Sequence, residues 1–266
     1  MNTEQQKASQ SFWNSRAHHF DQKTAERSAE REALVSRLEA GGLISSESQV
    51  LDIGCGPGTY AVPLAERTRW VTALDVSSQM LGFCKERAVL AGVKNLTLLE
   101  MDWRETNLET HQWEGAFDLA MASMSPGVHN METLDKFMKA SRKACYLSAF
   151  VRRNDSLGDA LHRHLQVDSR PYDGFPAPYT NKIDYTDHVL QQQGYSFSRN
   201  HFDRRWEQSM SLEEAIDHYT KRLLMSHSLT KEQHKSIADF LQTQAVDNVV
   251  TEITDATVGE LFWIKG

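Results

Sequence analysis

The chain has few cysteines, and none of them stands at a spacing that suits a disulfide framework or a zinc ribbon. Of its 266 residues only Cys55, Cys84 and Cys145 are cysteine. Small disulfide-stapled folds need several paired cysteines, and zinc ribbons need C-x-x-C pairs. Both classes are therefore excluded. Each cysteine stands in apolar or glycine-rich sequence, so we predict three buried free thiols.

Long apolar runs are also missing. The first 20 residues, MNTEQQKASQSFWNSRAHHF, are polar and contain no apolar stretch behind a basic start. A signal peptide requires such a stretch, and a membrane-spanning helix requires about 20 apolar residues in a row. We therefore expect a soluble, cytoplasmic protein without a membrane partner.

Positive charge is in short supply. The formal net charge is −7 and the sequence pI is about 5.9, whereas a general nucleic-acid binder needs a basic surface. Two short basic stretches, FVRRND (150–155) and FDRRWEQ (202–208), each lie beside an acidic residue. They predict solvated charged faces, and the balance argues against a nucleic-acid partner.

No internal repeat, low-complexity tract or long Pro/Gly/Ser linker divides the chain, so we expect one domain over residues 1–266. Periodic apolar patterns predict parallel-type strands in its first part, at 49–53, 70–74, 96–100, 117–122 and 145–151. The segments between them are long enough for helices. Alternating strands and helices predict an α/β fold whose mostly parallel sheet is covered on both faces.

Helices and turns follow from local signals. Helices are predicted at 25–40, 77–93, 130–144 and 183–193, and two more between 211 and 244 begin at capping boxes, Ser211 with Glu214 and Thr230 with Gln233. A strand is predicted over 195–202, and a turn near Asp255–Gly259 is expected to join two final strands. Residues 152–182, which include Pro171, Pro176 and Pro178, predict a loop-rich lid over one end of the sheet.

Three glycines follow the first predicted strand within five residues. Gly54, Gly56 and Gly58 precede a segment that can form a helix. Glycine allows a tight turn and lets a ligand lie against bare backbone, and a following helix offers free N–H donors. The sequence therefore predicts a ligand site at the end of this strand.

Three acidic residues are expected at the same edge of the sheet. Asp52 stands just before the glycines, Asp75 ends the second strand, and Asp102 follows the third. Ligands of open α/β sheets bind outside the carboxyl ends of the strands, where an acid after the second strand can accept the hydroxyls of a ribose. A nicotinamide dinucleotide is one alternative, but its fingerprint is G-x-G-x-x-G without a preceding acid. A cationic ligand with an adenosine end suits the pattern better.

These motifs resemble a known family. LDIGCGPGTY (51–60) looks like the first motif of the class I S-adenosylmethionine-dependent methyltransferases, ALDVSSQML (73–81) resembles their ribose motif, and EMDW (100–103) resembles their adenine motif. FDLAMASMSPGVHN (117–130) resembles the stretch that borders the transferred methyl group. The likeness covers residues 10 to 150, with a weaker match at GELFWIKG, and the small-molecule, ubiquinone-biosynthesis-like branch (methyltransferase type 11) is the nearest.

The resemblance implies a Rossmann-like, doubly wound, seven-stranded sheet with an antiparallel last strand, N-terminal helices and a lid. Residues 1–45 would form the helical segment, 46–151 the cofactor-binding half, and 152–266 the acceptor-side half, with the helices at 211–244. The expected cofactor is S-adenosyl-L-methionine. The residues expected to bind it are Asp52, Gly54, Cys55, Gly56, Gly58, Tyr60, Asp75, Val76, Met80, Met101, Asp102, Trp103 and Ala122.

Several of these positions have a structural alternative. Trp103 can flank the adenine or pack in the core, and Met80 and Tyr60 can equally be core residues. Trp13, Arg16 and Phe20 resemble the N-terminal segment that closes over the cofactor in relatives, but a helix packed on the sheet edge explains them as well. Their roles therefore stay open at the level of sequence.

His129 follows SMSPGV and is the first candidate for a general base, although a solvent-facing histidine beside a helix cap explains it too. Neither His18 with His19 nor His162 with His164 has a spacing that places both rings on one helix face, so no metal is expected. The acceptor is predicted to be a small molecule and the protein a monomer or homodimer. A tRNA or protein methyltransferase, or a non-catalytic cofactor-binding regulator, are the alternatives.

Overall fold

The chain begins with two helices in the computed structural model, which describes residues 3–26, 28–167, 174–176 and 178–265. The first, α1, spans Thr3–Glu26 and the second, α2, spans Ser28–Ala40. The apolar face predicted for α2, formed by Leu34, Val35 and Leu38, is buried. The predicted N-terminal helical segment is therefore present.

The first half of the chain alternates strands with helices. In order, the elements are β1 (Gln49–Ile53), α3 (Ala61–Ala65), β2 (Trp70–Asp75), α4 (Ser78–Ala91), β3 (Leu96–Glu100), α5 (Leu108–His111), β4 (Phe117–Ser123) and α6 (Met131–Ala140). The four strands lie within one residue of their predicted bounds. Short strands with apolar side chains on both faces are typical of the centre of a parallel sheet.

The second half has longer strands. Its elements are β5 (Ser141–Asp155), α7 (Ser156–Leu165), α8 (Lys182–Gln192), β6 (Phe197–Ser211), α9 (Leu212–Leu224), α10 (Lys231–Gln244) and β7 (Val249–Ile264). The fifth strand was predicted over 145–151 and the sixth over 195–202, so both extend well beyond their predicted ends. Local pattern missed these extensions because charged residues occupy them.

All seven strands form one sheet in the order β3-β2-β1-β4-β5-β7-β6. Strands β1 to β5 pair in parallel, whereas β7 runs antiparallel to both β5 and β6. This confirms the doubly wound sheet with an antiparallel last strand. The strand order reverses between β1 and β4, and that switch point is where ligands bind in such sheets.

Helix caps fix where the helices begin. Ser77 accepts a hydrogen bond from the Met80 amide at 3.1 Å, and Asn130 forms a capping box with Thr133. The two capping boxes predicted for the late helices are present at Ser211 and Thr230. Side-chain caps satisfy amide groups that the first helical turn leaves without partners.

The predicted final turn near Asp255–Gly259 is wrong, because β7 is one continuous strand of 16 residues. It pairs along its length with β6 on one side and for much of it with β5 on the other. Gly259 is needed for close packing instead, since a Cβ atom there would lie 2.8 Å from Cγ2 of both Ile183 and Val151. A glycine inside a strand often marks such a close approach.

The loop-rich lid predicted at 152–182 is wrong for its first part, 152–165. Its first four residues complete β5, and α7 follows at once with Leu157 and Leu161 buried against α9, α10 and β7. Residues 168–173 and 177, including Pro171 and Ala177, lie outside the described residues. The two helices at 211–244 therefore pack against α7 as one layer and do not border a loop-rich lid. No described helix is long and apolar enough to cross a membrane.

Candidate functional site

The loop after β1 owes two of its glycines to packing. Gly54 and Gly58 adopt φ of +71° and +83°, which side chains rarely tolerate. A Cβ on Gly54 would lie 2.3 Å from Ser125 Oγ, and one on Gly58 would lie 2.7 Å from Cys84 Sγ. Both positions require glycine whether or not a ligand is present.

Gly56 differs from its two neighbours because it faces open space. The nearest heavy atom to a Cβ at this position would be Met80 Sδ at 4.0 Å, and φ is +55°. Its amide donates a hydrogen bond to Asp75 Oδ2 at 2.9 Å. Gly56 therefore presents bare backbone to a space where a ligand can lie.

Asp52 is a buried acid with an unsatisfied oxygen. Only 2% of the residue is exposed, and Oδ2 has no hydrogen-bond partner among the described residues. Burial and, to a smaller extent, the nearby charge of Asp75 together raise the pKa of this carboxyl to about 7. Because a lone buried carboxylate is costly, the site favours a cation or a hydrogen-bond donor beside Asp52.

Asp75 lies at the carboxyl end of β2 and orders the loop around it. Its two oxygens accept hydrogen bonds from the amides of Gly56 and Ser77, each at 2.9 Å. Burial raises the pKa of Asp75 to about 6, even though these hydrogen bonds lower it. A carboxylate can accept about four hydrogen bonds, so roughly two remain for a ligand such as a diol. We call Asp52, Gly56 and Asp75 together the cofactor crevice.

Asp102 lies just after the end of β3, as predicted, but its carboxylate already forms an ion pair with Arg104. Arg104 donates to its carboxylate from Nε at 2.8 Å and from the backbone amide at 2.9 Å. This ion pair is well shielded, with little of either side chain exposed. The predicted contact of Asp102 with an adenine therefore has to compete with Arg104, and it stays a prediction.

The prediction that Trp103 flanks the adenine needs correction. Its side chain is 1% exposed, and Nε1 donates to the Thr133 carbonyl at 3.2 Å inside the second core cluster. The packing alternative for this indole is therefore the one that the structure supports.

The remaining predicted cofactor residues divide into two groups. Cys55, Met80 and Ala122 are buried. The other two cysteines, Cys84 and Cys145, are buried as well, and the thiols of all three cysteines are free, as predicted. Val76 and Met101 lie half-buried at the same sheet edge, where the Met101 amide donates to the Asp75 carbonyl at 3.0 Å. The three buried side chains can only pack underneath the loop that a ligand would contact, whereas Val76 and Met101 can contact the ligand itself.

Helix α1 lies across the edge of the sheet next to the cofactor crevice. Gln10 Nε2 donates to the Val76 carbonyl at 3.1 Å, Ser77 Oγ donates to Asn14 Oδ1 at 2.6 Å, and Thr24 Oγ1 is 2.7 Å from Thr59 Oγ1. Sequence reasoning missed Gln10 and Asn14. Their spacing of four residues, which places both on one helix face, was the available signal.

The three α1 residues singled out from the sequence point to one side of this helix. The rings of Trp13 and Phe20 are 5.9 Å apart, and Arg16 donates to Gln208 Oε1 of β6 at 3.0 Å. α1 therefore connects the cofactor half of the sheet to its long second-half strands. Both alternatives considered for these residues are compatible with this position.

His129 lies on the loop between β4 and α6, half-buried, with Nδ1 3.3 Å from the Gly127 carbonyl. Burial lowers its pKa, and the charges of Arg104 and Lys182 lower it as well. Lys182 is a buried lysine that sequence reasoning missed, and it donates to the Ser125 carbonyl at 2.9 Å. His129 is thus a neutral imidazole at neutral pH on a loop held in place from α8.

Tyr60 follows the glycine loop and stands between the two halves of the sheet. Burial raises its pKa, a hydrogen bond with Ser123 lowers it, and the charges that act on it belong to Glu260, Arg204 and Asp52. It therefore lies within electrostatic range of both the cofactor crevice and the second-half strands. Among the described residues, no group of three or more His, Cys, Asp or Glu could hold a metal ion.

One family model matches the chain. Residues 50–145 match a model described as a methyltransferase domain. The matched segment runs from β1 into β5, so it includes the glycine loop, the cofactor crevice and His129.

Two relatives illustrate the sequence likeness. The chain is 32% identical over 112 residues to a protein of Haemophilus influenzae described as uncharacterized, covering 42% of this chain and 40% of the relative. It is 25% identical over 169 residues to an S-adenosyl-L-methionine-dependent Diels-Alderase of a Neonectria species, covering 62% and 65%. The chain thus spans less than two thirds of the length of either relative.

A solved structure extends the likeness to the whole fold. Magnesium protoporphyrin IX methyltransferase from Synechocystis PCC 6803, solved with bound S-adenosylhomocysteine, aligns with a TM-score of 0.53 and 15% identity. The alignment covers 95% of this chain and 99% of that one. At this identity the likeness concerns the fold, and it includes the second half that the family model does not reach.

Proposed function

We propose that the protein is an S-adenosylmethionine-dependent methyltransferase that transfers a methyl group to a small-molecule acceptor, since residues 50–145 match a methyltransferase-domain model. The observation that carries the proposal is the buried, unpartnered Oδ2 of Asp52 beside the open face of Gly56. An acid in that position suits a cationic cofactor and disfavours a pyrophosphate.

The residues of the cofactor crevice fit S-adenosylmethionine group by group. Asp52 would hold the ammonium group, whose charge would offset the cost of burying the carboxylate. The bare backbone at Gly56 would lie against the methionine portion, and Asp75 would accept the ribose hydroxyls with its remaining lone pairs. Val76 and Met101 would border the adenine.

When bound, this cofactor supplies an electrophilic methyl group on a positively charged sulfur. The chain's own task is then to align the acceptor, which is catalysis by proximity and orientation. A base is needed only where the acceptor must lose a proton. His129, kept neutral by its burial, can take up a proton at its imidazole, and it stays our candidate for that role.

A second candidate function is cofactor binding without methyl transfer. The relative named as an S-adenosyl-L-methionine-dependent Diels-Alderase favours keeping it, since its name couples the cofactor to a different reaction. A macromolecular acceptor is less well supported, because the acidic net charge disfavours a nucleic acid.

The test is to incubate the purified protein with methyl-labelled S-adenosylmethionine and a cell extract separated into small molecules and macromolecules. We expect label in the small-molecule fraction together with S-adenosylhomocysteine, and none with the Gly56→Val variant. Label in the macromolecular fraction would replace the small acceptor with RNA or protein. Absence of S-adenosylhomocysteine in both fractions would leave the non-catalytic function.

A further inference from the structure

The long strands of the second half carry charged and aromatic side chains on one shared face. In the antiparallel pairing, Trp206 and Asp155 both lie opposite Thr254, and Gln208 lies opposite Glu252. Side chains of directly opposed residues point to the same side of a sheet. We call this set, formed by Phe150, Arg153, Asp155, Trp206, Gln208 and Glu252, the acceptor-side face.

Both carboxylates of the acceptor-side face already accept hydrogen bonds from neighbouring residues. Asp155 accepts from Arg153 Nε at 2.9 Å and from Arg222 of α9 at 2.7 Å. Glu252 accepts from the Tyr219 hydroxyl at 2.5 Å and from the Gly158 amide at 3.2 Å. Both acids are almost fully buried. Asp155 is thus paired with two guanidinium groups, whereas Glu252 accepts from two neutral donors.

A further guanidinium reaches this face from α1. Arg16 donates one hydrogen bond, to the neutral amide of Gln208, and in the part of the chain that the structure describes it forms no ion pair. Burial lowers the pKa of Arg16. The negative charge of Glu252 raises this pKa, whereas the positive charges of Arg153 and Arg222 lower it. With Arg153 and Arg222 it makes an arginine cluster of three cations facing two anions. Among these five side chains the cations outnumber the anions by one.

His218 of α9 adds an unsatisfied polar atom near Arg16. Its Nδ1 is buried and has no hydrogen-bond partner among the residues that the structure describes. Burial lowers its pKa to about 3, and the charges of Arg16, Arg222 and Arg153 contribute. The histidine is therefore neutral and adds no charge to the arginine cluster. A polar atom left unsatisfied beside a half-buried cation indicates a place for a polar ligand.

The arginine cluster and the cofactor crevice both contact α1, on different sides of the helix. Arg16 follows two residues after Asn14, which bonds to Ser77 beside Asp75. Aromatic side chains lie beside the arginine cluster, since the rings of Phe150 and Trp206 are stacked at 6.3 Å and Arg153 lies over both. An acceptor held here would have its charged end at Arg16 and an apolar body against the rings.

We propose that the methyl acceptor is an anion, a carboxylate or a phosphate ester with an apolar body, whose charged group binds Arg16 on the acceptor-side face. The proposal rests on the proposed function, because it assigns the substrate class of that same site. Arginine is suited to this role, since its planar fork of donors matches a carboxylate or phosphate with two parallel hydrogen bonds.

The test is calorimetric titration of the S-adenosylhomocysteine-loaded protein with benzoate, phenyl phosphate and neutral benzamide. The variants are Arg16→Gln and Arg16→Lys. The matched control is Arg205→Gln, because Arg205 is 62% exposed, pairs with Asp255 and points to the opposite side of β6 from Trp206. The same titrations without S-adenosylhomocysteine keep anion binding measurable if the cofactor fails to bind.

We expect benzoate or phenyl phosphate to bind at least about tenfold more tightly than benzamide, the value of one hydrogen bond to a charged group. Arg16→Gln should remove that preference, Arg16→Lys should keep part of it, and Arg205→Gln should change nothing. The relative affinity of the two anions distinguishes a carboxylate acceptor from a phosphate acceptor.

Equal binding of the three probes to wild type, or an anion preference that survives Arg16→Gln, would overturn the inference. If S-adenosylhomocysteine binds normally in those experiments, the proposed function still stands. If Arg16→Gln no longer binds S-adenosylhomocysteine, the anion preference of Arg16→Lys is compared with that of wild type instead. An unchanged preference in Arg16→Lys would then overturn the inference. Failure of S-adenosylhomocysteine to bind wild type counts against the proposed function alone.

Discussion

In the cofactor crevice the pKa of a buried aspartate is raised, whereas on the acceptor-side face the pKa of a buried aspartate is lowered. In the crevice, burial raises the pKa of Asp52 to about 7, and no cation neutralises the carboxylate. On the acceptor-side face, burial also acts on Asp155, but the charges of Arg153 and Arg222 outweigh it and lower the pKa. Among the described residues, one region has an acid without a cation, and the other has a cation, Arg16, that forms no close ion pair although the charge of Glu252 acts on it.

This difference has a functional consequence. A buried acid without a partner favours a positively charged ligand, and a half-buried guanidinium without a carboxylate favours a negatively charged one. Both regions contact α1. The charge pattern therefore suits the proposed cationic methyl donor in one region and the proposed anionic acceptor in the other.

The largest effect is expected from Gly56→Val, which should abolish detectable binding of S-adenosylmethionine. A valine side chain would occupy the open space in front of the loop, and its φ of +55° adds backbone strain. The matched control is Gly42→Val, which has a φ of +65° and also faces open space, but at the end of α2. Calorimetry that found equal affinity for both variants would show that Gly56 does not face the cofactor.

Asp52→Asn should weaken S-adenosylmethionine binding by roughly a hundredfold at pH 8, because a hydrogen bond between charged groups is lost. In wild type the carboxyl, with its pKa of about 7, must be ionised to bind a cation. Affinity should therefore fall about tenfold between pH 8 and pH 6. Calorimetry at both pH values checks this, and a pH dependence that is unchanged in Asp52→Asn would contradict it.

The same variant should stabilise the unliganded protein. Because the folded-state pKa of Asp52 is raised from 3.8 to about 7, the stability that its protonated form contributes is lost as pH rises through 7. The unliganded Asp52→Asn variant should thus have a Tm higher by about 5 °C at pH 8, and the difference should shrink towards pH 5. Scanning calorimetry of both proteins measures it, and a lower Tm at pH 8 would mean that Asp52 has a partner.

Asp75→Ala should weaken cofactor binding by more than about tenfold, because the ribose hydroxyls and the Gly56 amide both lose an acceptor. Asp75→Asn is the matched variant, since it keeps one acceptor oxygen and should lose less. Titration with S-adenosylhomocysteine ranks the three proteins. Equal affinity of wild type and Asp75→Ala, with an unchanged circular dichroism spectrum, would remove the ribose assignment.

The smallest effect is expected from Thr230→Ala at the start of α10. It removes a capping box in the helical layer of the second half and should cost about 1 kcal/mol of unfolding free energy. Cofactor affinity should stay unchanged, because α10 packs on α7 and α9 rather than on the crevice. Urea unfolding and titration of the same sample test whether the two regions are energetically separate.

Local signals predicted the first half of the fold well. The strands at 49–53, 70–74, 96–100 and 117–122 and the capping boxes at Ser211 and Thr230 depend on neighbouring residues, so the sequence alone could place them. The glycine loop was found for the same reason. Which of its glycines faces open space was not predictable, because that depends on Ser125 and Cys84, which lie far away along the chain.

The second half was harder because it depends on long-range pairing. Charged residues such as Arg153 and Asp155 gave no strand signal, yet they extend β5 because β7 pairs alongside. Arg16 could not be linked to Gln208 from sequence, since 192 residues separate them. The arginine cluster is formed by tertiary structure, and only the basic stretches at 150–155 and 202–208 hinted at it.

The most direct test of the cofactor crevice is calorimetric titration of the purified protein with S-adenosylmethionine, S-adenosylhomocysteine and NAD in parallel. We expect the two sulfur ligands to bind at about micromolar Kd, within the range of ordinary enzyme ligands, and NAD not to bind. Binding of NAD alone, or of none of the three, would contradict the assignment of Asp52, Gly56 and Asp75 to S-adenosylmethionine.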